Sequence, residues 1–153
     1  MDNKIYKPPI TPIYADRKKM EKKEEILYKA LSDRIICASF NVYNLLGRGF
    51  LEKVYENALY IELDRFNILC ERQRKVSVYY RGQVIGEYVT DIIVENKIIV
   101  EIKATQETPK IYEAQLLNYL RATNIKLGYL LNFGNPYKLY FKRLINQYWL
   151  INK

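Results

Sequence analysis

The stretch Tyr88-Val-Thr-Asp91-Ile-Ile-Val-Glu95-Asn-Lys97-Ile-Ile-Val-Glu101-Ile-Lys103-Ala104 places three charged side chains inside two apolar, β-prone runs. Residues 84–94 and 98–104 read as the two arms of a central hairpin. Charges buried in such strands are costly unless something compensates them. Two carboxylates and an ammonium converging there are the minimum set for a hard divalent cation with a steered water beside it.

Side chains alternate along a strand, so Glu101 and Lys103 share a face. Whether Asp91 joins them depends on the turn. A two-residue turn at Asn96-Lys97 pairs 91 with 102 and puts Asp91 on the wrong parity. A three-residue loop, Glu95-Asn96-Lys97, pairs 94 with 98 and therefore 91 with 101, and Asn tolerates the left-handed conformation such loops need. The site thus demands an odd-length loop. E-x-K triplets alone decide little, because Glu21/Lys23 and Glu95/Lys97 repeat the spacing at solvated positions. On spacing alone, a partly buried ion pair between Lys103 and one carboxylate is an equal alternative.

Outside the hairpin, Ile35, Ala38/Ser39, Val42 and Leu45/Leu46 recur at helical spacing from about Ser32, with Gly47 at the expected C-terminal cap. A second helix is expected over 50–66, burying Leu51, Val54/Tyr55, Ala58/Leu59 and Leu63, with Gly49 allowing a tight entry. Residues 68–71 and 75–80 look extended, with a turn at Arg81-Gly82. Thr108-Pro109 reads as a helix start, threonine as N-cap, and the helix runs to about Ala122. Strands follow over 126–133 and 137–145. The order is α-α-β-β-β-α-β-β, an α/β (α+β) class. Residues 1–23 carry seven Lys/Arg against three Asp/Glu, contain three prolines before Tyr14, and read as a basic, extended or disordered arm. Residues 24–153 read as one domain, with no internal repeat.

The chain of 153 residues has no histidine. That removes Ser-His-Asp triads, His-ligated zinc and His general acid/base chemistry together. Catalysis must rest on carboxylates, lysines, tyrosines or an oxygen-ligated metal. The net charge of +8 suits a polyanionic partner such as nucleic acid, although half of it belongs to residues 1–23 and simple solubilisation accounts for it equally well. There is no apolar run of about eighteen residues, so no membrane span is expected, and the start lacks the apolar core of a secretory signal. Two cysteines, Cys37 and Cys70, fit a reducing cytoplasm better than a disulfide framework. The fifteen tyrosines could offer stacking platforms, but most fall at core-facing spacing and read as structural.

Further motifs carry a resemblance. Gly49-x-x-Glu52-x-x-Tyr55 lies within Leu45-Leu-Gly-Arg-Gly-Phe-Leu-Glu52-Lys-Val-Tyr-Glu-Asn-Ala58; downstream come Glu113-Ala-Gln115-Leu-Leu-Asn-Tyr119-Leu and Lys126-Leu-Gly-Tyr-Leu-Leu-Asn-Phe-Gly134. Together, from about Leu31 to Ile145, the chain resembles the GxxExxY family, a branch of the PD-(D/E)XK nuclease superfamily. The resemblance implies a restriction-endonuclease-like core, a mixed central sheet flanked by helices. It implies Asp91 and Glu101 as metal-binding carboxylates and Lys103 as the lysine that orients the attacking water. Glu52 would complete the site, and Gln115 and Tyr119, a Q-x-x-x-Y pair, would support it or touch substrate. Tyr43 stands where relatives often carry histidine, and Val89-Thr90 precede the aspartate in place of proline.

The expected activity is Mg²⁺-dependent phosphodiester hydrolysis of nucleic acid, DNA favoured and RNA allowed, with Mn²⁺ as a substitute. Asp91, Glu101, the Ile102 carbonyl and Glu52 are the candidate ligands. A homodimer is compatible with it. Each residue has a plainer alternative. Glu52 and Glu56 form an i,i+4 pair typical of a solvated face. Gln115 and Tyr119 suit helix packing with a polar tip, and Tyr55 suits a core aromatic. The rival function is a nucleic-acid-binding or protein-interaction module that keeps the fold without turnover. A third reading is a purely structural ion-pair cluster.

Overall fold

The computed structural model describes residues 12–147, with side chains from Tyr28 onward. The chain divides into two compact units, residues 1–33 and 34–153. Helix α1 runs from Pro12 to Leu46. Its backbone therefore turns helical some twenty residues before the expected start, and 12–23 are not extended. Proline at the first helical position accounts for this entry: its fixed φ suits a helix and its missing N–H has no partner to lose there. The expectation for residues 1–11 lies outside the described residues.

The second unit is a mixed sheet flanked by helices. After α1 come α2 (Glu52–Arg65), β1 (Cys70–Tyr80), β2 (Gln83–Val94), β3 (Ile98–Lys103), α3 (Lys110–Thr123), β4 (Leu127–Asn132) and β5 (Tyr140–Ile145). The order is the one expected. Sequence neighbours are also sheet neighbours, β1-β2-β3-β4-β5. Only β3 and β4 run parallel, because α3 carries the chain back between them. Strands β3 and β4 are buried almost throughout, as central strands covered on both faces must be.

Local chemistry sets the joints. Gly47 at φ +65° closes α1, its N–H donating to the Tyr43 carbonyl at 2.8 Å. Arg81 and Gly82, both at positive φ, make the two-residue turn between β1 and β2, so the two short extended runs of the sequence form one continuous strand before it. Between β2 and β3 the pairs are Ile92 with Val100, Ile93 with Ile99 and Val94 with Ile98. That leaves the three-residue loop Glu95-Asn96-Lys97, with Glu95 at φ +47° and Asn96 at φ +58°. The odd-length loop demanded above is present.

Helix α3 lies on the sheet face that carries Ile93, Ile99 and Leu130, where Leu116, Leu120 and Ile125 close a core cluster. Gly128 permits the approach, since a Cβ there would sit 3.0–3.1 Å from three carbons of Leu116. On the opposite face Tyr55 of α2 stacks on Phe133, with centroids 4.6 Å apart and planes 10° from parallel.

Several expectations of burial fail at helix ends. Ile35, Ala38, Ser39 and Val42 are buried as expected, but Leu45 is exposed and Leu46 only half-buried. In α2, Tyr55, Leu59 and Leu63 are buried, while Leu51 and Val54 are exposed. Both misses flank the Gly47–Gly49 turn, where the chain leaves the helical period. Thr108 does not cap α3. Pro109 holds the N-cap position, and the Thr108 hydroxyl instead accepts the side-chain amide of Asn132 at 2.8 Å. Tyr79, Tyr80, Tyr88 and Tyr137 are exposed and are not core residues.

Candidate active site

Carried one step past Ile92 and Val100, the β2–β3 ladder sets Asp91 across from Glu101. Alternation puts both, with Lys103, on the α3 face together with Ile93 and Ile99. Backbone pairing stops there. The Asp91 carboxylate takes over, accepting the Ile102 N–H at 2.8 Å. The strands part at this notch, and the three residues singled out by the sequence meet in it.

Both carboxyl groups hold their protons more tightly than usual. For Asp91 the main cause is burial, opposed by the Ile102 hydrogen bond and reinforced by the charges of Glu56 and Glu52. Glu101 is only 5% exposed and is pushed up to about 9, first by burial and then by the neighbouring Asp91 charge, with Lys103 pulling the other way. One Glu101 oxygen, Oε2, is buried without a hydrogen-bond partner. An orphaned carboxylate oxygen next to a second carboxylate is a place that calls for a proton or a cation.

Lys103 is half-buried at the end of β3, its ammonium 4.6 Å from the centre of the Tyr112 ring of α3. Among the described residues no direct ion pair joins it to Asp91 or Glu101, so the salt-bridge alternative is not the observed arrangement. Tyr119 comes from the same helix and is half-buried. Its hydroxyl holds its proton more tightly than usual, first through burial and then through the charges of Glu101, Asp91 and Tyr88. Gln115, four residues earlier, is exposed.

On α2 the sequence reading needs one correction, at Glu56. Glu52 opens the helix and is exposed. Glu56, dismissed as half of a solvated pair, is 3% exposed and acts more strongly on Asp91 than Glu52 does. Its carboxylate accepts Lys53 Nζ at 2.9 Å and Gln73 Nε2 at 2.8 Å. Gln73 lies between the pairs Arg72–Ile92 and Arg74–Thr90, hence opposite Asp91, and has φ +53°, a strained value for a non-glycine residue in a strand. Tyr55 is fully buried. Its hydroxyl donates to the Gly47 carbonyl at 2.7 Å and accepts the Phe50 N–H at 3.2 Å, so it fastens the glycine turn to α2.

One further residue escaped the sequence reading. Asn132 is completely buried at the end of β4. Its Oδ1 accepts the N–H groups of Thr105 (3.1 Å) and Gly134 (3.0 Å), and its Nδ2 donates to the Glu107 carbonyl (3.3 Å) and Thr108 hydroxyl (2.8 Å). It clamps the segment that links Lys103 to α3. The segment also lies so close to Gly134 that a Cβ there would come within 2.4 Å of the Thr105 nitrogen. The signal in the sequence was an amide in an otherwise apolar strand, which demands buried partners.

Among the described residues no three His, Cys, Asp or Glu side chains gather around one point. A cation at the notch would be held by the Asp91 and Glu101 carboxylates, and the remaining positions fall to backbone oxygen and water, a mixture that suits Mg²⁺. The donor set fits a hard cation and, lacking His and thiolate, does not fit zinc. No helix among the described residues is long and apolar enough to cross a membrane.

Comparison with known proteins agrees with the geometry. A search of curated proteins found no match. The solved structure described as "Crystal structure of SSO0001" superposes with a TM-score of 0.50 at 17% identity, over 80% of this chain and 61% of that one, a likeness of fold alone. The chain therefore spans less than two thirds of that protein's length. The family profile described as the PD-(D/E)XK nuclease superfamily matches residues 29–144, most of the sequence and all of the notch. The chain belongs to the PD-(D/E)XK nuclease superfamily.

Proposed function

We propose that this protein is a Mg²⁺-dependent nuclease of the GxxExxY branch, hydrolysing phosphodiester bonds in DNA or, as the second choice, RNA, with Mn²⁺ able to replace Mg²⁺. The observation that carries the reading is a buried Glu101 carboxyl group with one oxygen unpartnered and with Asp91 as its charged neighbour. Burying this carboxylate beside a second one is costly, and a divalent cation converts the cost into binding.

When bound, the cation polarises the phosphoryl group and acidifies a water. The protein's own groups do the rest. Asp91 is held in place by the Ile102 N–H, so one oxygen is committed to the backbone and the other is left for the ligand. Lys103, braced against Tyr112, carries a positive charge to the mouth of the notch, where it orients the attacking water and offsets charge on the phosphate. Tyr119 lines the same mouth. Glu56 and Gln73 support the strand behind Asp91, and Glu52 is close enough to add negative charge but stands in solvent. Gln115 and Tyr55 take supporting roles, the first toward substrate and the second in the core.

The rival is a module that binds nucleic acid without turnover, favoured by the lack, among the described residues, of a third coordinating side chain. Incubation with single- and double-stranded DNA and RNA plus Mg²⁺ or Mn²⁺, with Lys103→Ala alongside, separates the two. Metal-dependent cleavage by the parent but not the variant is expected; equal cleavage by both sinks the nuclease reading.

A further inference from the structure

The β1–β2 ribbon outruns the sheet. Strand β2 pairs with β3 only over Ile92–Val94, so residues 83–90 have β1 on one side and, among the described residues, no strand on the other. The ribbon leans toward α3, where the Tyr88 and Tyr119 rings meet at 5.4 Å, tilted 57°. Between ribbon and helix lies an open groove of ≈ 510 Å³, lined among others by Tyr79 and Tyr88 of the ribbon and Asn118 and Arg121 of α3. Tyr79 is 65% exposed and Tyr88 45%.

Two exposed aromatic rings and an amide around one groove match the parts of a nucleobase. Rings stack on a base and an amide reads a base edge. The volume is of the size that holds one small ligand. The groove is linked to the notch through Tyr119, whose ring contacts Tyr88 and whose hydroxyl feels the charges of Glu101 and Asp91. A base inside a duplex has both faces covered by its neighbours and cannot stack on a side chain unless it leaves the helix.

We propose that this groove seats one unpaired nucleotide beside the bond to be cut, so that the substrate is a single-stranded or frayed polynucleotide. The proposal rests on the nuclease reading for its cleavage step, but the binding it describes needs neither metal nor turnover.

The test is fluorescence anisotropy of the whole protein in EDTA with labelled oligo-dT, oligo-U and a duplex of equal length. The parent should bind the single strands more tightly than the duplex, the dT and U arms deciding between DNA and RNA. Tyr79→Ala and Tyr88→Ala should each weaken single-strand binding by about fivefold or more, from the usual worth of one stacked base, and leave duplex binding unchanged. Tyr88→Phe, which keeps the ring, should bind like the parent. Should Tyr88→Ala fail to fold, Tyr79→Ala, at a more exposed position, carries the result. Undiminished single-strand binding in Tyr79→Ala, or duplex bound as tightly as single strand, overturns the proposal. So does a dimer in sedimentation that Tyr79→Ala dissolves, which would make the free β2 edge a contact between two copies. Calorimetric titration of the same proteins with Mn²⁺ keeps the readings apart: a parent that binds no Mn²⁺ undoes the nuclease reading and leaves the oligonucleotide result standing.

Discussion

The Asp91 carboxylate accepts the Ile102 N–H at 2.8 Å, a side chain taking the place of a backbone carbonyl where two strands separate. One oxygen is therefore structural and the other is available for chemistry, and substitution can tell the two apart. Asp91→Asn keeps an acceptor for Ile102 and removes the charge. It should fold with a melting temperature close to the parent's and show no Mg²⁺ or Mn²⁺ binding by calorimetry. Asp91→Ala strands the amide and should lose about 1–3 kcal/mol of stability as well.

Glu101 links stability to pH. Its proton is held up to about 9 in the folded protein, against an ordinary value of 4.5. Between those values the native state keeps a proton that the unfolded chain releases, so stability falls as pH rises through that window. In EDTA, the melting temperature should increase from pH 8.5 to pH 5.5, and Glu101→Gln should flatten the profile. Binding Mg²⁺ at neutral pH should release about one proton, seen as a dependence of the calorimetric heat on buffer ionisation enthalpy. A flat profile in the parent contradicts this account.

Lys103 rests on the Tyr112 ring and acts on the two carboxylates only through its charge, so its removal should be gentle on the fold and severe on the reaction. Lys103→Ala should lose about 0.5–1 kcal/mol with the ring contact and about 100-fold or more in cleavage rate. Denaturant melts and single-turnover cleavage measure the two separately.

Asn132 should behave in the opposite way. Asn132→Ala orphans the buried N–H group of Gly134, at about 1–3 kcal/mol, and frees the half-buried one of Thr105. Urea denaturation should show that loss, and faster hydrogen exchange over residues 104–109 should accompany it. Unchanged exchange there would mean that the segment is held by other contacts.

What could be read from the sequence follows from how local each cause is. The period-two runs, the turn at Arg81-Gly82, the cap at Gly47 and the proline that opens α3 announced the element order, and even the loop length between β2 and β3 followed once Asp91 and Glu101 were required to share a face. Glu56, Gln73 and Asn132 were not found, because burial of a polar side chain depends on which distant element covers it. Nothing near Gln73 in the chain announces its left-handed backbone. The burial of Leu45, Leu51 and Val54 was overestimated for a related reason: periodicity names a helix face but not where its covering partner ends.

The loop Glu95-Asn96-Lys97 is the kind of exposed turn that ordinarily tolerates insertion and deletion. Here it has no such freedom. Removing Asn96 alone leaves an acceptable two-residue turn and strands of the same composition, so the chain could still fold. Every residue of one hairpin arm would then present its other side, and Asp91 would face the α2 layer while Glu101 stayed behind. A one-residue gap at the surface, midway in sequence between Asp91 and Glu101, should thus erase metal binding as completely as replacing the aspartate itself.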